Sequence, residues 1–496
     1  MTRSISQFLR SPMRLPHLDL LRHATPLQLR IALAIIILPT VWKLLSLDFS
    51  FLGDSCYQRF PYAYGYADFL VRWFGQNRCS IYGAFPPWQL QVGGAAFLLA
   101  FIVAPRRIFL VIGIACTWWL DTNASFFRGN MYDIDTPLAV LTLVALTPVR
   151  LSHAASLSRA PSAAARMVAL SMLTYVAAYY VLAGLSKLAN VWYWPFAVKL
   201  GNLYSISHLW FAQEMPPALD WVARTFSQRY QNWPALDALT ATVVLLEQLL
   251  WLAAPFSRRI RLQAGILTAG THIVIALTGG IVFLTWPFIA LAVTVPFSLR
   301  RSTRPSSDVP ALPRRALVVP ASAALLAISP AAWGYTLPPF YNYYAFGWTY
   351  PHPTEIPEVY ALGWRDPATG ALRPVPMRQG GFFEHRFGGL LSSNVRQLLT
   401  SKPRTFDEVE ARRRLRLILE ATREPDANKW LLGSFSAPDH LIGDHGAPDL
   451  RAIPTLEFMK GRPAESTDGG PVRARWESCG RIFGSWEIER YARCRE

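Results

Sequence analysis

Nine stretches of the chain are apolar almost without interruption, and polar, arginine-bearing segments separate them. They run over about 28–46, 87–104, 108–120, 134–149, 167–188, 236–254, 263–279, 281–297 and 316–333. An apolar helix of ~20 residues crosses a bilayer, because a helix satisfies its own backbone polar groups where lipid cannot. Several of the nine are shorter than that, so the pattern sets the elements better than it sets their ends. It predicts an all-α polytopic membrane bundle of about nine transmembrane helices. After residue 334 the pattern changes. "VYALGWRDPATGALRPVPM" reads as two short strands around a glycine-containing turn, and "PVRARWESCGRIF" as another strand. "TFDEVEARRRLRLILEATRE" reads as an amphipathic helix with Thr405 as its N-cap and acids in its first turn. The tail is expected to be a small α+β domain.

The chain divides accordingly into a basic leader (1–27), a membrane core of about eight spans (28–297), a Pro- and Ser-rich linker (298–315), a ninth span (316–333) and the tail (334–496). Alternate connections hold the arginines: Arg22 and Arg30, Arg106 and Arg107, Arg150, Arg159 and Arg166, Arg258, Arg259 and Arg261, and those from Arg300 to Arg315. The opposite connections carry fewer basic residues. By the positive-inside rule the N-terminus is cytoplasmic and the tail lies outside, as an odd number of spans also requires. Only 16% of residues are charged, against roughly a quarter in soluble proteins. The net charge of +17 is thus explained by topology, and no nucleic-acid partner is expected. The leader, rich in arginine with one acid, also fits a mitochondrial transit peptide; the topological reading places the protein in a bacterial inner membrane.

Five cysteines refine the sides. Cys56 and Cys79 share the first outer loop, Cys479 and Cys494 share the tail, and Cys116 lies alone in a span. Four outer cysteines allow three connectivities; loop closure favours the two local pairs, and a loop-to-tail bridge stays open. Their placement fits an oxidising outer compartment. Two outer loops, 47–86 and 189–235, are rich in Trp, Tyr and Pro. They read either as an aromatic belt at the headgroups or as a lid over an outward-opening site.

Polar groups inside spans are costly and so begin as functional candidates. Lys187 ends the fifth span in a chain with six lysines (Lys43, Lys187, Lys199, Lys402, Lys429, Lys460) among 49 basic residues. A lysine can lose its charge on burial and an arginine cannot. The other reading is a lysine snorkelling to the interface. Tyr180, Ala183, Gly184 and Lys187 share one helical stripe, whose small residues would admit another helix or a flat ligand. His272 sits mid-span beside Thr268 and Thr271, either as a proton-transfer or binding group or as an interhelical hydrogen bonder. Glu247 and Gln248 lie deep in the sixth span. In "LDTNASFFRGNMYDIDTP", Asp121, Arg128, Asp133 and Asp135 gather at the outer surface. Asp133 and Asp135 have the DxD spacing of metal-dependent glycosyltransferases, but a solvated turn with an Asp–Arg contact accounts for them as well. No metal site is expected: the chain has no CxxC or HExxH motif, nor a Gly-rich phosphate loop.

"YVLAGLSKLANVW" resembles the AG-x-x-KL-x-x-x-W signature of the vitamin K-dependent gamma-carboxylase family and its bacterial relatives with the HTTM membrane domain. "HIVIALTGGIVFLTWPFIAL" is similar to that family's histidine-led helix, and "YNYYAFGWTYPHPTEIPEVYAL" to the aromatic-proline stretch before its outer domain. The resemblance implies that Lys187 is the base that deprotonates a reduced, vitamin K-like quinone. It implies a polar membrane-core role for His272, and a quinone contact for Tyr180, Gly184 and Trp192. The family uses the reaction of quinol with oxygen to remove a glutamate γ-proton, after which CO2 adds to the carbanion. This chain departs from it by Ser186-Lys187 in place of two adjacent lysines and by a much smaller outer region. The expectation is a quinol-dependent oxidative modification of a small secreted peptide or protein at the outer leaflet. The alternatives are a non-enzymatic maturation or export partner of such a peptide and a metal-dependent, lipid-linked glycosyltransferase.

Overall fold

Long apolar runs leave the backbone no partner but itself, and each of the nine forms a helix. A computed structural model describes residues 21, 23–47, 49, 52–53, 56, 68–128, 132–189, 234–279, 285–298, 318–333, 359–366, 369–374, 456–464, 473–482 and 488–489. The helices are α1 (Pro26–Ser46), α2 (Asp68–Ala84), α3 (Pro87–Val103), α4 (Arg107–Arg128), α5 (Tyr132–Leu146), the short α6 (Leu151–Ala154), α7 (Ala163–Ala189), α8 (Pro234–Ala253), α9 (Arg258–Gly279), α10 (Thr285–Ser298) and α11 (Val318–Trp333). Three are long and apolar enough to cross a membrane, within α1, α4 and α7; a fourth span results if the bent pair α2–α3 counts as one. Four shorter apolar helices lie within α5, α8, α10 and α11.

Local chemistry sets the ends. Thr25 and Gln28 close a reciprocal capping box at the start of α1, with Pro26 in the first turn where its missing N–H costs nothing. The 83° bend between α2 and α3 falls at Pro86-Pro87, which cannot continue a helix but can begin one. The segment 47–86, expected to be a loop, therefore contains a helix. Its rings are not all interfacial either: Phe74 is fully buried and stacks on Trp119 of α4 with centroids 4.8 Å apart.

Helix α1 lies at the centre, packed against α3, α5, α7 and α10, while α9 pairs with α10 and α11 with α7. From Ile134 to Leu141 every residue of α5 is buried, Asp135 and Thr136 included, so this stretch is surrounded by protein on all sides. Outward faces carry exposed Leu38, Trp42, Leu45, Leu99 and Val103, a covering suited to lipid.

Hydrogen bonds knit the arginine-bearing connections together at one end. Arg30 donates to the carbonyl of Val103 (2.5 Å), and Arg107 to those of Thr147 and Val149 (2.7 and 2.5 Å). Arg258 donates to the Ser298 carbonyl, and Gln28 to that of Pro296 (2.7 Å). At the far end of α1, Gln91 of α3 donates to the carbonyls of Leu44 and Leu47. The Cys56–Cys79 disulfide, one of the two local pairs that loop closure favours, is formed, and Cys116 is a free thiol. Arg78 donates to the Cys56 carbonyl beside it.

The tail contains a five-stranded antiparallel sheet in the order β2-β1-β3-β4-β5, with β1 Val359–Arg365, β2 Leu372–Pro374, β3 Leu456–Ala464, β4 Arg473–Ile482 and β5 Ile488–Glu489. The hairpin β1–β2 is the one expected, and Gly370 supplies its left-handed residue (φ 68°). The strand expected around 473–482 is also present as β4. The register of β3 against β4 shifts between Phe458 and Met459, where β4 passes Cys479. The expected helix from Thr405, the leader before residue 21, most of the 298–315 linker, loop 190–233 and Cys494 lie outside the described residues.

Candidate functional site

Four helices bring aromatic and polar side chains together inside the bundle. Helix α7 supplies Tyr179, Tyr180 and Gly184; α8 supplies Glu247, Gln248 and Trp251; α9 supplies Thr268 and His272; and α10 supplies Trp286. Glu247 and Gln248, four and three residues before Trp251, share with it the face of α8 turned inward.

The rings make a box. Tyr180 stacks on Trp251 with centroids 5.0 Å apart and planes 8° from parallel. It meets His272 and Trp286 edge-on, at 6.4 and 5.7 Å. His272 in turn lies parallel to Trp286 at 5.8 Å, and Tyr179 leans on the same indole at 5.1 Å. Offset-stacked and edge-to-face pairs are the favourable ring geometries, so the box holds its shape.

A directed hydrogen-bond chain runs beside it. The Trp251 Nε1–H donates to Thr268 Oγ1 (2.8 Å), and the Thr268 hydroxyl donates to Glu247 Oε1 (2.8 Å). The direction is forced, because an indole N–H only donates and the hydroxyl has a single proton to pass on. His272 Nδ1 lies 2.9 Å from the Thr268 carbonyl, one turn earlier on α9. A carbonyl only accepts, so Nδ1 carries the proton, and in the neutral ring Nε2 is left as the basic nitrogen. One nitrogen of His272 is thus tied to the backbone of its own helix. Gln248 Oε1 is buried and accepts no hydrogen bond among the described residues.

Gly184 explains how α8 comes so close. A Cβ there would lie 2.8 Å from Gln248 Oε1 and 3.0 Å from Gln248 Cβ. Of the two partners expected for the small-residue stripe, the one present at Gly184 is another helix. Lys187 is three residues further along α7, about 5 Å of rise beyond Gly184. The side chain of Lys187 and the whole of Trp192 lie outside the described residues.

Two of the acids do not lie on a solvated surface turn. Asp121 lies within α4, and Asp135 in the first turn of α5, and both are buried. Buried Thr117, Thr122, Asn123 and Ser125 surround Asp121 in sequence, and Tyr175 of α7 lies within electrostatic range of Asp135. The side chains of Asp133 and Arg128 lie outside the described residues. Positions 133 and 135 stand roughly 200° apart around a helix axis, so a DxD pair here does not share a face. Among the described residues no three His, Cys, Asp or Glu side chains come together.

Two participants were missed in the sequence. Trp251 and Trp286 read as ordinary apolar span residues, although the Glu247–Trp251 spacing of one helical turn was a usable signal. Apart from the cluster, Lys43 in the last turn of α1 is also buried, and the scarcity of lysine that drew attention to Lys187 applied to it equally.

Thr268 serves two buried partners, so Thr268→Val is expected to cost about 1–3 kcal/mol, while Thr268→Ser stays close to wild type. Thermal unfolding of both variants in detergent tests this; equal midpoints would mean that the chain through Thr268 does not support the fold. Compared with known proteins, the chain matches no family model, no curated protein and no solved structure.

Proposed function

We propose that this is a multi-pass membrane enzyme that uses a reduced quinone to modify a small secreted peptide or protein oxidatively at the outer leaflet. The nine helices cross the membrane, with the N-terminus and the arginine-rich end on the cytoplasmic side and the tail outside. The observation that carries the reading is the ring box of Tyr180, Trp251, His272 and Trp286 next to buried polar acceptors. Flat aromatic walls suit a flat apolar ring, and a few placed polar groups suit its oxygens.

Gln248 fits such a group. Its Oε1 is a buried acceptor with capacity to spare, and a quinol hydroxyl is a donor. When bound, a reduced quinone supplies two electrons to dioxygen, and that reaction provides a base strong enough for carboxylase-like removal of a carbon-bound proton. The protein's own part is binding and proton handling. Tyr180, Trp251 and Trp286 would hold the ring and exclude water. Gly184 lets α8 approach so that Gln248 reaches the site. Lys187, as a neutral amine, would take the hydroxyl proton as general base. Glu247 keeps the Thr268–Trp251 chain oriented.

A binding experiment tests this directly. The purified protein in lipid nanodiscs is expected to bind a reduced naphthoquinone saturably. Gln248→Leu should weaken that binding about tenfold, the scale of one lost buried hydrogen bond. A dimethyl ether of the same quinol, which cannot donate, should bind wild type and variant alike. No saturable binding by the wild type would sink the quinol reading and favour an escort role for the secreted peptide.

A further inference from the structure

The α3–α4 and α5–α6 connections meet around a cavity of about 490 Å³ that the proposed reaction does not use. Arg106, Arg107 and Arg150 line it, together with Pro105, Pro148 and Ser152, and among the described residues no acidic side chain does. Arg107 builds the cavity by bonding the Thr147 and Val149 carbonyls, which fixes one connection against the other. Arg30 ties the start of α1 to the Val103 carbonyl just before it. Arg106 and Arg150 are exposed.

Guanidinium groups gathered at one opening repel one another, and a bound anion turns that repulsion into attraction. Their planar forks match phosphate oxygens in pairs. The surroundings decide which phosphate. Val103 and Ile108, on either side of the arginine pair, are large, apolar and exposed, as is Leu146 just before the second connection. A soluble phosphate gains nothing from such a rim, whereas acyl chains would cover it.

We infer that this cavity binds the head group of an anionic phospholipid, its phosphate held by Arg106 and Arg150 and its chains lying along Val103, Ile108 and Leu146. Basic pockets between membrane helices on the cytoplasmic side suit such head groups. The site is structural or regulatory in consequence, since it sits at the arginine-bearing end rather than in the ring box.

Native mass spectrometry of the full chain, released from mixed micelles, reads this out. Wild type should retain phosphatidylglycerol over phosphatidylcholine about tenfold, and R106Q/R150Q should reduce that preference to near parity. Arg107 is left intact because it holds the connections. Arg159→Gln, an exposed arginine at the same end, should keep the preference. An unchanged preference in R106Q/R150Q would overturn the proposal, and so would an equal loss in Arg159→Gln, which would mean a diffuse field. Displacement of the lipid by inorganic phosphate at equal concentration would overturn the assignment to lipid.

Discussion

Protein carrying Lys187→Arg is expected to reach the membrane at the wild-type level and, under the proposed quinol-dependent function, to lose activity by about 10²-fold or more. Arginine keeps the cation and the long stem, so an interfacial anchor would survive the change. It does not provide a neutral base, because a guanidinium stays protonated under all working conditions. Lys187→Met keeps most of the apolar stem and removes the amine, and it should be equally inactive while still binding the quinol in the ring box of Tyr180, Trp251 and Trp286. The measurement is activity per amount of membrane-inserted protein, for both variants beside wild type. Near-normal activity in the arginine variant would leave Lys187 as an anchor. Loss in both, with quinol binding intact, separates a failed proton transfer from a collapsed site. A pH–rate profile then distinguishes a base from a binding contact.

Gly265→Ala should be the most destabilising small substitution in the bundle. A Cβ at Gly265 would lie 1.9 Å from Thr294 Oγ1 and 2.8 Å from Thr294 Cβ. Thr294 is itself buried, and its hydroxyl donates to the Ala290 carbonyl one turn back on α10 (2.6 Å), so it has no free rotation away. The two helices have to separate, and overpacking of this kind costs about 3 kcal/mol. In a membrane, where helix association rests on close packing, a small residue at such a crossing has no substitute. Gly270, on the same helix, has nothing within 4 Å of the same added atom. Gly270→Ala should therefore be neutral or slightly stabilising, since alanine is the better helix former. Removing the hydroxyl as well, in Gly265→Ala/Thr294→Ala, should rescue only part of the loss because the Cβ contact remains. Thermal unfolding in detergent orders the variants; equal midpoints for Gly265→Ala and Gly270→Ala would remove the close crossing of α9 and α10.

The helices were legible because an apolar run in lipid or protein has one way to satisfy its backbone. That requirement is local, so it is written in each segment. The hairpin β1–β2 was legible for a similar reason, with Gly370 marking its turn. The pairing of Cys56 with Cys79 was one of the two local pairs that loop closure favoured, with a loop-to-tail bridge left open, and the fold decided between them. Strand β3 was not legible. "LEFMKGRPA" has no clean alternation and contains Pro463, and it becomes a strand because β1 and β4 pair with it on both sides. Pro463 lies beyond the last β1 partner, Gly461, so no ladder donor is missing on that side.

The candidate site divides in the same way. Lys187, His272, Glu247, Gln248 and the Tyr180–Gly184 stripe could be picked out one at a time, because a polar or small residue in an apolar run is conspicuous. Their company could not. Trp251 and Trp286 look like any other apolar residue of a span, and only the crossing of α7, α8, α9 and α10 turns them into walls around Tyr180. Asp121 and Asp135 looked like surface acids because both border a polar turn, yet packing of α4 and α5 into the bundle buries them. The sequence by itself determined which segments leave water and which residues are expensive to place there. Only the tertiary structure decided which of those residues meet, because hydrophobic burial is non-directional while the interlocking of helix surfaces is not.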